Sequence, residues 1–166
     1  MISVIISVAL FWSYKVSMKI VILSGFFNPL HGGHLDMIEE AANMADKLIV
    51  IVNNDIQQQI KKGKIILDEQ NRLRLISAIK HIDDAILAID EAPPVSETIR
   101  IIAREHPNDE IIFANGGDRS SSKVVPETAM CNEFGIKMIY GVGGTHKADS
   151  STRINQATGH EVLWAN

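Results

Sequence analysis

The stretch Ile20-Val21-Ile22-Leu23-Ser24-Gly25-Phe26-Phe27-Asn28-Pro29-Leu30-His31-Gly32-Gly33-His34 decides how this chain is read. Its first four residues form an apolar run suited to a buried strand, and Leu35 to Ala42 downstream carries apolar residues at helical spacing. The polar, glycine-rich segment between them is therefore a strand-to-helix turn. Helix N-termini present unpaired N–H groups and a partial positive charge, and glycines let a backbone approach an anion with no Cβ in the way. Phosphate is the natural guest of such a turn. His31 and His34 are three apart, so both imidazoles lie on one face of the helix's first turn and can address the same anion.

Outward from this turn, strands and helices alternate. Lys47 to Val52 is a short run rich in β-branched residues that ends at Asn53-Asn54-Asp55, and it reads as a second buried strand. Asp68 to Lys80 reads as a helix, with Asp68 placed to cap it. Ala85 to Ile89 is a third strand, Val95 to Glu105 a helix, Glu110 to Ala114 a fourth strand, Pro126 to Phe134 a helix ended by Gly135, and Ile136 to Tyr140 a fifth strand. The alternation predicts an α/β domain with a doubly wound, five-stranded parallel sheet of Rossmann-like type. In such sheets the ligand lies beyond the carboxyl ends of the strands. Four polar or glycine-rich loops fall there: the His-containing turn, Asn53-Asn54-Asp55, Asn115-Gly116-Gly117-Asp118-Arg119, and Gly141-Val142-Gly143-Gly144.

Composition narrows the class. A length of 166 residues suits one domain, with 46% hydrophobic and 22% charged residues, ordinary for a globular protein. The net charge of −4 carries no basic footprint for nucleic acid. Cys131 is the only cysteine, so no intrachain disulfide can form, and a reducing, cytoplasmic setting is expected. Residues 1–17 form an apolar N-terminal extension before a single domain spanning 18–166. The run Ile2 to Trp12 has eleven residues, short of the roughly twenty that span a bilayer, and it lacks the preceding Lys or Arg of a signal peptide. No membrane partner is expected. Met18, directly before the first strand, is the expected natural start, with an extra strand or partner-binding arm as the alternative.

Gly25-Phe26-Phe27-Asn28-Pro29-Leu30-His31-Gly32-Gly33-His34 resembles the G-x-F-D-x-x-H-x-G-H signature of the HxGH nucleotidyltransferase superfamily, in particular its cytidylyltransferase-like members. These include glycerol-3-phosphate cytidylyltransferase and the nucleotidyltransferase domain of ADP-heptose synthase. The likeness runs from about Lys19 to Ile154. Val52-Asn53-Asn54-Asp55 is similar to the V-N-S-D after strand two, Lys62-Gly63-Lys64 to the basic loop, Gly116-Gly117-Asp118 to the G-G-D after strand four, and Ser150-Ser151-Thr152 to the S-S-T that opens the last helix. Arg72 and Asp83 follow the family's spacing beyond Lys64.

The resemblance implies direct transfer of CMP or AMP from a nucleoside triphosphate to a small phosphorylated polyol or sugar, with release of pyrophosphate and no covalent enzyme intermediate. Within it, His31, His34 and Lys64 are expected to be catalytic, Lys62 and Arg72 to bind substrate phosphate, and Gly25, Phe26, Phe27, Gly33, Gly117, Asp118, Ser150, Ser151 and Thr152 to bind nucleotide. Mg²⁺ is expected on the triphosphate rather than in a protein cage, and a homodimer fits the resemblance. Lys61 reads equally well as part of a solvated charge run. Two positions depart from the family pattern: Asn28 stands where Asp is usual, and Asn155 where an Arg falls in S-S-T-x-I-R relatives, with Arg153 displaced to follow the Thr. Two alternatives stay open, an adenylyltransferase of the NAD, coenzyme A or FAD type and a nucleotide-binding sensor without turnover. An aminoacyl-tRNA synthetase is not expected, since the chain is short for the added domains and holds no Lys-Met-Ser-Lys-Ser sequence.

Overall fold

In the computed structural model, residues 17–116, 125–144 and 149–160 are described. Strand β1 (Lys19–Gly25) is followed by α1 (Gly32–Ala42), β2 (Lys47–Val52), α2 (Asp55–Lys62), α3 (Glu69–Ser77), β3 (Asp84–Leu87), α4 (Ser96–Glu105), β4 (Glu110–Gly116), α5 (Thr128–Glu133), β5 (Lys137–Val142) and α6 (Ser151–Ala157). All the strand pairings are parallel, in the order β3-β2-β1-β4-β5. The expected doubly wound sheet is the fold observed.

Strand β1 sits at the centre because its side chains bury on both faces. Ile20 and Ile22 join one core with Ile49, Ile51, Ile99, Ile102 and Met130, covered by α4 and α5. Val21 and Leu23 join the other with Met37, Ile38, Ala41 and Ile76, covered by α1 and α3. The four successive apolar residues Ile20 to Leu23 leave the middle of β1 no solvated face, which is the signature of parallel sheets. Strand order reverses between β1 and β4, so a crevice opens beyond their carboxyl ends. Polar groups at the helix starts are tied down in the same economical way. Asp68 caps α3 by accepting from Asn71 N at 2.8 Å, as expected. The buried Asp90 carboxylate caps α4, accepting from Glu97 N at 2.8 Å and Thr98 N at 3.1 Å.

The sequence reading needs two corrections here. The segment Asp55–Lys62 forms a helix that the sequence reading did not assign, and it takes Asp55 out of the loop after β2 and Lys62 out of the basic loop. Asn54 caps it by accepting from Gln57 N at 2.9 Å, Gln57 Oε1 returns the bond to Asn54 N at 3.2 Å, and Gly63 ends it at φ 65°. The last residues of β4 and β5 carry farther than expected, taking Asn115-Gly116 and Gly141-Val142 out of the loops and into strand ends. Residues 1–16, Gly117, Asp118, Arg119 and the stretch 145–148 lie outside the described residues.

Candidate active site

Helix α1 starts at Gly32, so His31 is its N-cap residue and His34 lies in its first turn. The two imidazoles stack with ring centroids 3.8 Å apart and planes 28° from parallel, and Phe27 meets His34 edge-on at 4.9 Å. His34 Nδ1 accepts from His31 N at 3.3 Å. A neutral imidazole that accepts at Nδ1 carries its proton at Nε2, so His34 is set up as a donor at Nε2. The glycines of the turn answer to close packing. A Cβ on Gly25 would stand 2.8 Å from the Phe27 ring, and one on Gly33 would stand 3.3 Å from the carbonyl oxygen of Asp149 and from the His31 ring.

The start of α6 faces this turn. Ser151 Oγ donates to the carbonyl of Pro29 at 2.8 Å, and Asn155 Nδ2 donates to the carbonyl of Asn28 at 3.1 Å. Ser150 caps α6 through its hydroxyl to Arg153 N at 3.1 Å. Arg153, the displaced arginine, is turned back to Asp149 in a two-pronged pair, Nε to Oδ1 and Nη2 to Oδ2, each at 2.5 Å. That hydrogen bond, together with the Ser150 amide, lowers the Asp149 carboxyl to about 2. The Asp149 carboxylate thus remains charged at the rim.

Between these elements lies a cleft of about 560 Å³. Of the expected site residues it brings together Gly25, Phe26, Phe27, His31, Gly33, His34, Lys62, Ser150, Ser151 and Thr152 on one lining. Gln58 and Asp149, which sequence reasoning did not place in the site, join them, together with Lys61, Asn28 of the His-containing turn and Asn115 at the end of β4. The α2 helix explains the lysines. Lys61 and Lys62 close its last turn and reach the cleft, with Lys61 Nζ 4.7 Å above the Phe26 ring. Lys64 lies past the helix end, exposed and apart from the lining. Gly117 and Asp118 lie outside the described residues.

Arg72 is not at the cleft surface. It is 0% exposed, and its guanidinium donates to the carbonyls of Leu67 at 2.9 Å, Phe26 at 2.8 Å and Asn53 at 2.6 Å, and to Asp55 Oδ1 at 2.6 Å. With four bonds made inside the protein, its planar fork ties the ends of β1 and β2 to α2 and α3. Asp83 sits at the opposite edge of the sheet, accepting from Leu48 N at 2.7 Å. Its role is to hold the start of β2.

Asn28 stands out chemically. It is 3% exposed, its Oδ1 accepts from Leu67 N at 3.0 Å, and its Nδ2 has no partner among the described residues. An orphaned buried donor costs roughly 1–3 kcal/mol. Gln58 Oε1 is a second such atom on the same lining, its Nε2 being bonded to the carbonyl of Lys64 at 3.1 Å. No cluster of three or more His, Cys, Asp or Glu side chains among the described residues is placed to hold a metal.

Comparison with known proteins agrees with this geometry. The chain is 34% identical over 109 residues to bifunctional protein HldE of Koribacter versatilis, covering 64% of this chain and 21% of that protein. It is 40% identical over 75 residues to FAD synthase of Ferroglobus placidus, covering 45% of this chain and 48% of that one. It therefore spans about a fifth to a half of these relatives. Among solved structures, a lipopolysaccharide core biosynthesis protein from Thermoplasma volcanium superposes with a TM-score of 0.58 at 28% identity, covering 80% of this chain and 100% of that one. A bifunctional NMN adenylyltransferase/ADP-ribose pyrophosphatase from Francisella tularensis, solved with AMP and manganese, shares the fold at 17% identity, with a TM-score of 0.62 over 88% of this chain and 43% of that one. Among the described residues no helix is long and apolar enough to cross a membrane. The family model of cytidylyltransferase-like proteins matches residues 22–155, and with the parallel sheet and the paired histidines beyond its central strand, the chain belongs to the cytidylyltransferase-like family of nucleotidyltransferases.

Proposed function

We propose that the chain transfers CMP or AMP from a nucleoside triphosphate to a small phosphorylated polyol or sugar. The observation that carries this reading is the stacked His31–His34 pair at the head of α1, held against the start of α6 by Ser151 and Asn155. In the reaction an oxygen of the acceptor's phosphate attacks the α-phosphorus, the bond to the β-phosphate oxygen breaks, and pyrophosphate leaves with that electron pair. The protein's task is to hold two anions together and to stabilise charge as it builds on the phosphoryl oxygens. The N–H groups of α1 and His34 Nε2 serve the triphosphate, while Lys61 and Lys62 supply countercharge from the opposite wall. Ser151 and Thr152 bring hydroxyls to the same space. Mg²⁺ bound to phosphate oxygens and water would neutralise the triphosphate, since the cleft offers donors and cations rather than a carboxylate cage.

The likeness to a lipopolysaccharide core biosynthesis protein supports a sugar phosphate as acceptor. The likeness to FAD synthase supports AMP as the group transferred, and it also favours a second reading, adenylylation of a cofactor precursor such as a flavin phosphate. The single Cys131 fits a reducing cytoplasm. Pyrophosphate release tests the reading: the purified protein is incubated with Mg²⁺ and each of ATP, CTP, UTP and GTP, against sugar phosphates, polyol phosphates and flavin mononucleotide. Release with ATP or CTP and a sugar or polyol phosphate is the expected result. Release only with the flavin establishes the second reading, and folded protein that binds a nucleotide but releases no pyrophosphate with any acceptor identifies a sensor.

A further inference from the structure

We propose that Phe27 is a positioning residue that acts through His34, its buried ring fixing which edge of the imidazole serves the cleft. The inference rests on reading the cleft as a nucleotide and phosphate site, and it gives Phe27 a task apart from touching the nucleotide. Among the described residues, Phe27 and His81 are the non-glycine residues with positive φ, at 49° and 78°. His81 is exposed between α3 and β3, whereas Phe27 is 1% exposed and belongs to the cleft. A left-handed backbone is costly for a residue with a bulky side chain and persists only where its surroundings fix it. Filling the core does not require it, because Leu23 and Val50 reach the same core from ordinary strand positions.

What the unusual backbone delivers is a ring contact. The Phe27 ring crosses the His34 imidazole at 64° with centroids 4.9 Å apart, while His31 stacks on the same imidazole at 3.8 Å. Gly25 leaves room for it, since a Cβ there would stand 2.8 Å from the tip of the Phe27 ring. Phe26, one residue earlier, is half-buried and lies under Lys61 Nζ instead. The Cβ–Cγ torsion of a histidine is soft and roughly two-fold, so a half-turn of the imidazole comes easily unless neighbours block it. That half-turn would exchange Nδ1 with Cδ2 and Nε2 with Cε1, breaking the bond from His31 N and putting a C–H group where the donor stood. At 3.3 Å the bond from His31 N is long for holding the ring alone. Stacked on His31 and crossed by Phe27, the imidazole is obstructed on the way, and Nε2 keeps its place as donor.

Single-turnover pyrophosphate release and titration calorimetry with ATP, on wild type, Phe27→Leu, His34→Ala and the double variant, test the assignment. Leucine keeps an apolar side chain in the core and removes the flat ring. The expected result for Phe27→Leu is a fall of about tenfold or more in rate, with ATP affinity within about threefold of wild type. In the His34→Ala background, Phe27→Leu should change the rate by less than about twofold, because the group it positions is gone. Val50→Ala, which opens the same core from β2, should leave the rate within about twofold of wild type. Losses that multiply in the double variant, or a Phe27→Leu rate within about twofold of wild type, overturn the proposal and leave the proposed function standing. Wild type that releases no pyrophosphate overturns the proposed function, and the histidine ring then decides the proposal by itself. With histidine labelled by ¹⁵N, long-range ¹H–¹⁵N spectra should show His34 of wild type fixed with its proton at Nε2, and His34 of Phe27→Leu averaged between its two tautomers. Identical His34 nitrogen signals in the two proteins overturn the proposal. A measurement on the wild type alone covers a variant that fails to fold: nuclear Overhauser contacts between the Phe27 and His34 ring protons should persist when ATP is added. Their loss at saturation overturns the proposal.

Discussion

Asn155 Nδ2 donates to the carbonyl oxygen of Asn28 at 3.1 Å, across 127 positions of sequence. Both residues stand where the sequence departs from the motif pattern it resembles, and the structure puts the two in contact. A neutral amide bond at this point clamps α6 onto the His-containing turn without burying a charge. Ser151 Oγ to the Pro29 carbonyl at 2.8 Å is the second fastening of the same joint.

The joint predicts a local effect. Asn155→Ala and Ser151→Ala should each cost about 0.5–1.5 kcal/mol, the usual net worth of one hydrogen bond. Because α6 is short and otherwise half exposed, the loss should show as faster amide exchange in residues 151–157 and weaker ATP binding, more than as a lower global melting temperature. Unchanged exchange in α6 together with a lower global stability would contradict this account.

Arg72 predicts the opposite pattern. Removing its guanidinium leaves three carbonyls and the Asp55 carboxylate without their donor. Arg72→Ala should lower stability by about 3–5 kcal/mol, the range found when one partner of a buried charged network is removed. Arg72→Lys should recover little, because an ammonium on a flexible stem cannot bridge four acceptors in one plane. Urea unfolding of the two variants checks this. A Lys variant as stable as wild type would show that charge, not the fork, is what the site needs.

These two joints also mark how far the sequence could be read. The parallel sheet was legible because Ile20 to Leu23 and Lys47 to Val52 are apolar runs of strand length separated by helical periodicity. The His-containing turn was legible because its residue types leave few other uses. Helix α2 was not, because its burial is inverted: Gln57 is 0% and Gln58 2% exposed, while Ile56 is 57% and Ile60 61% exposed. Periodicity assumes that apolar residues face inward, and here amide side chains do so by bonding to backbone, Gln57 Nε2 reaching the Ala92 carbonyl at 3.2 Å. The capping signal Asn54 with Gln57 three residues on, followed by Gly63, was in the sequence and could have revealed the helix. Helix α2 brings Lys61, which reads equally well from sequence as part of a solvated charge run, to the cleft with Lys62, while Lys64, which the resemblance implies is catalytic, lies outside the lining. The burial of Arg72 had no sequence signal, since its neighbours Asn71 and Arg74 are polar and exposed.

The placement of the lysines predicts an order of effects. Lys61 and Lys62 line the cleft and Lys64 does not. Lys61→Ala and Lys62→Ala should each weaken ATP or acceptor binding by about five- to thirtyfold, on the order of 1–2 kcal/mol per charge-assisted contact. Lys64→Ala should change affinity by less than about threefold. Steady-state KM values for nucleotide and acceptor decide it, and a larger effect at Lys64 than at either neighbour would show that the 63–67 segment moves inward on binding.

Cys131 supplies a pH prediction. Burial, with the Glu127 carboxylate adding to it, raises the thiol from its ordinary 9.0 to about 11, so the folded state favours the neutral form. The stabilisation from this group is complete below pH 9 and is lost as pH rises through the folded value. Wild type should therefore lose on the order of 2 kcal/mol more than Cys131→Ala between pH 8.5 and 11, measured by urea unfolding. At pH 8 the native thiol should resist thiol-reactive dyes and react only on unfolding. Rapid labelling of native protein at pH 8 would contradict both.

The tautomer of His34 gives the sharpest chemical test of the site. Nδ1 accepts from His31 N at 3.3 Å, which assigns the proton, and with it the donor function, to Nε2. Glutamine places its amide nitrogen near the position of Nε2, and asparagine places its amide nitrogen near Nδ1. If His34 stabilises the phosphoryl oxygens from Nε2, His34→Ala should reduce single-turnover pyrophosphate release by about 10²–10³-fold, as loss of one preorganised donor does. His34→Gln should then recover part of that rate, and His34→Asn should recover none. All three should melt within a few degrees of wild type, because His34 is only half buried at the helix start and bears on the site more than on the core. Recovery by asparagine but not glutamine would place the working nitrogen at Nδ1 and would mean that its bond to His31 N opens when the nucleotide binds.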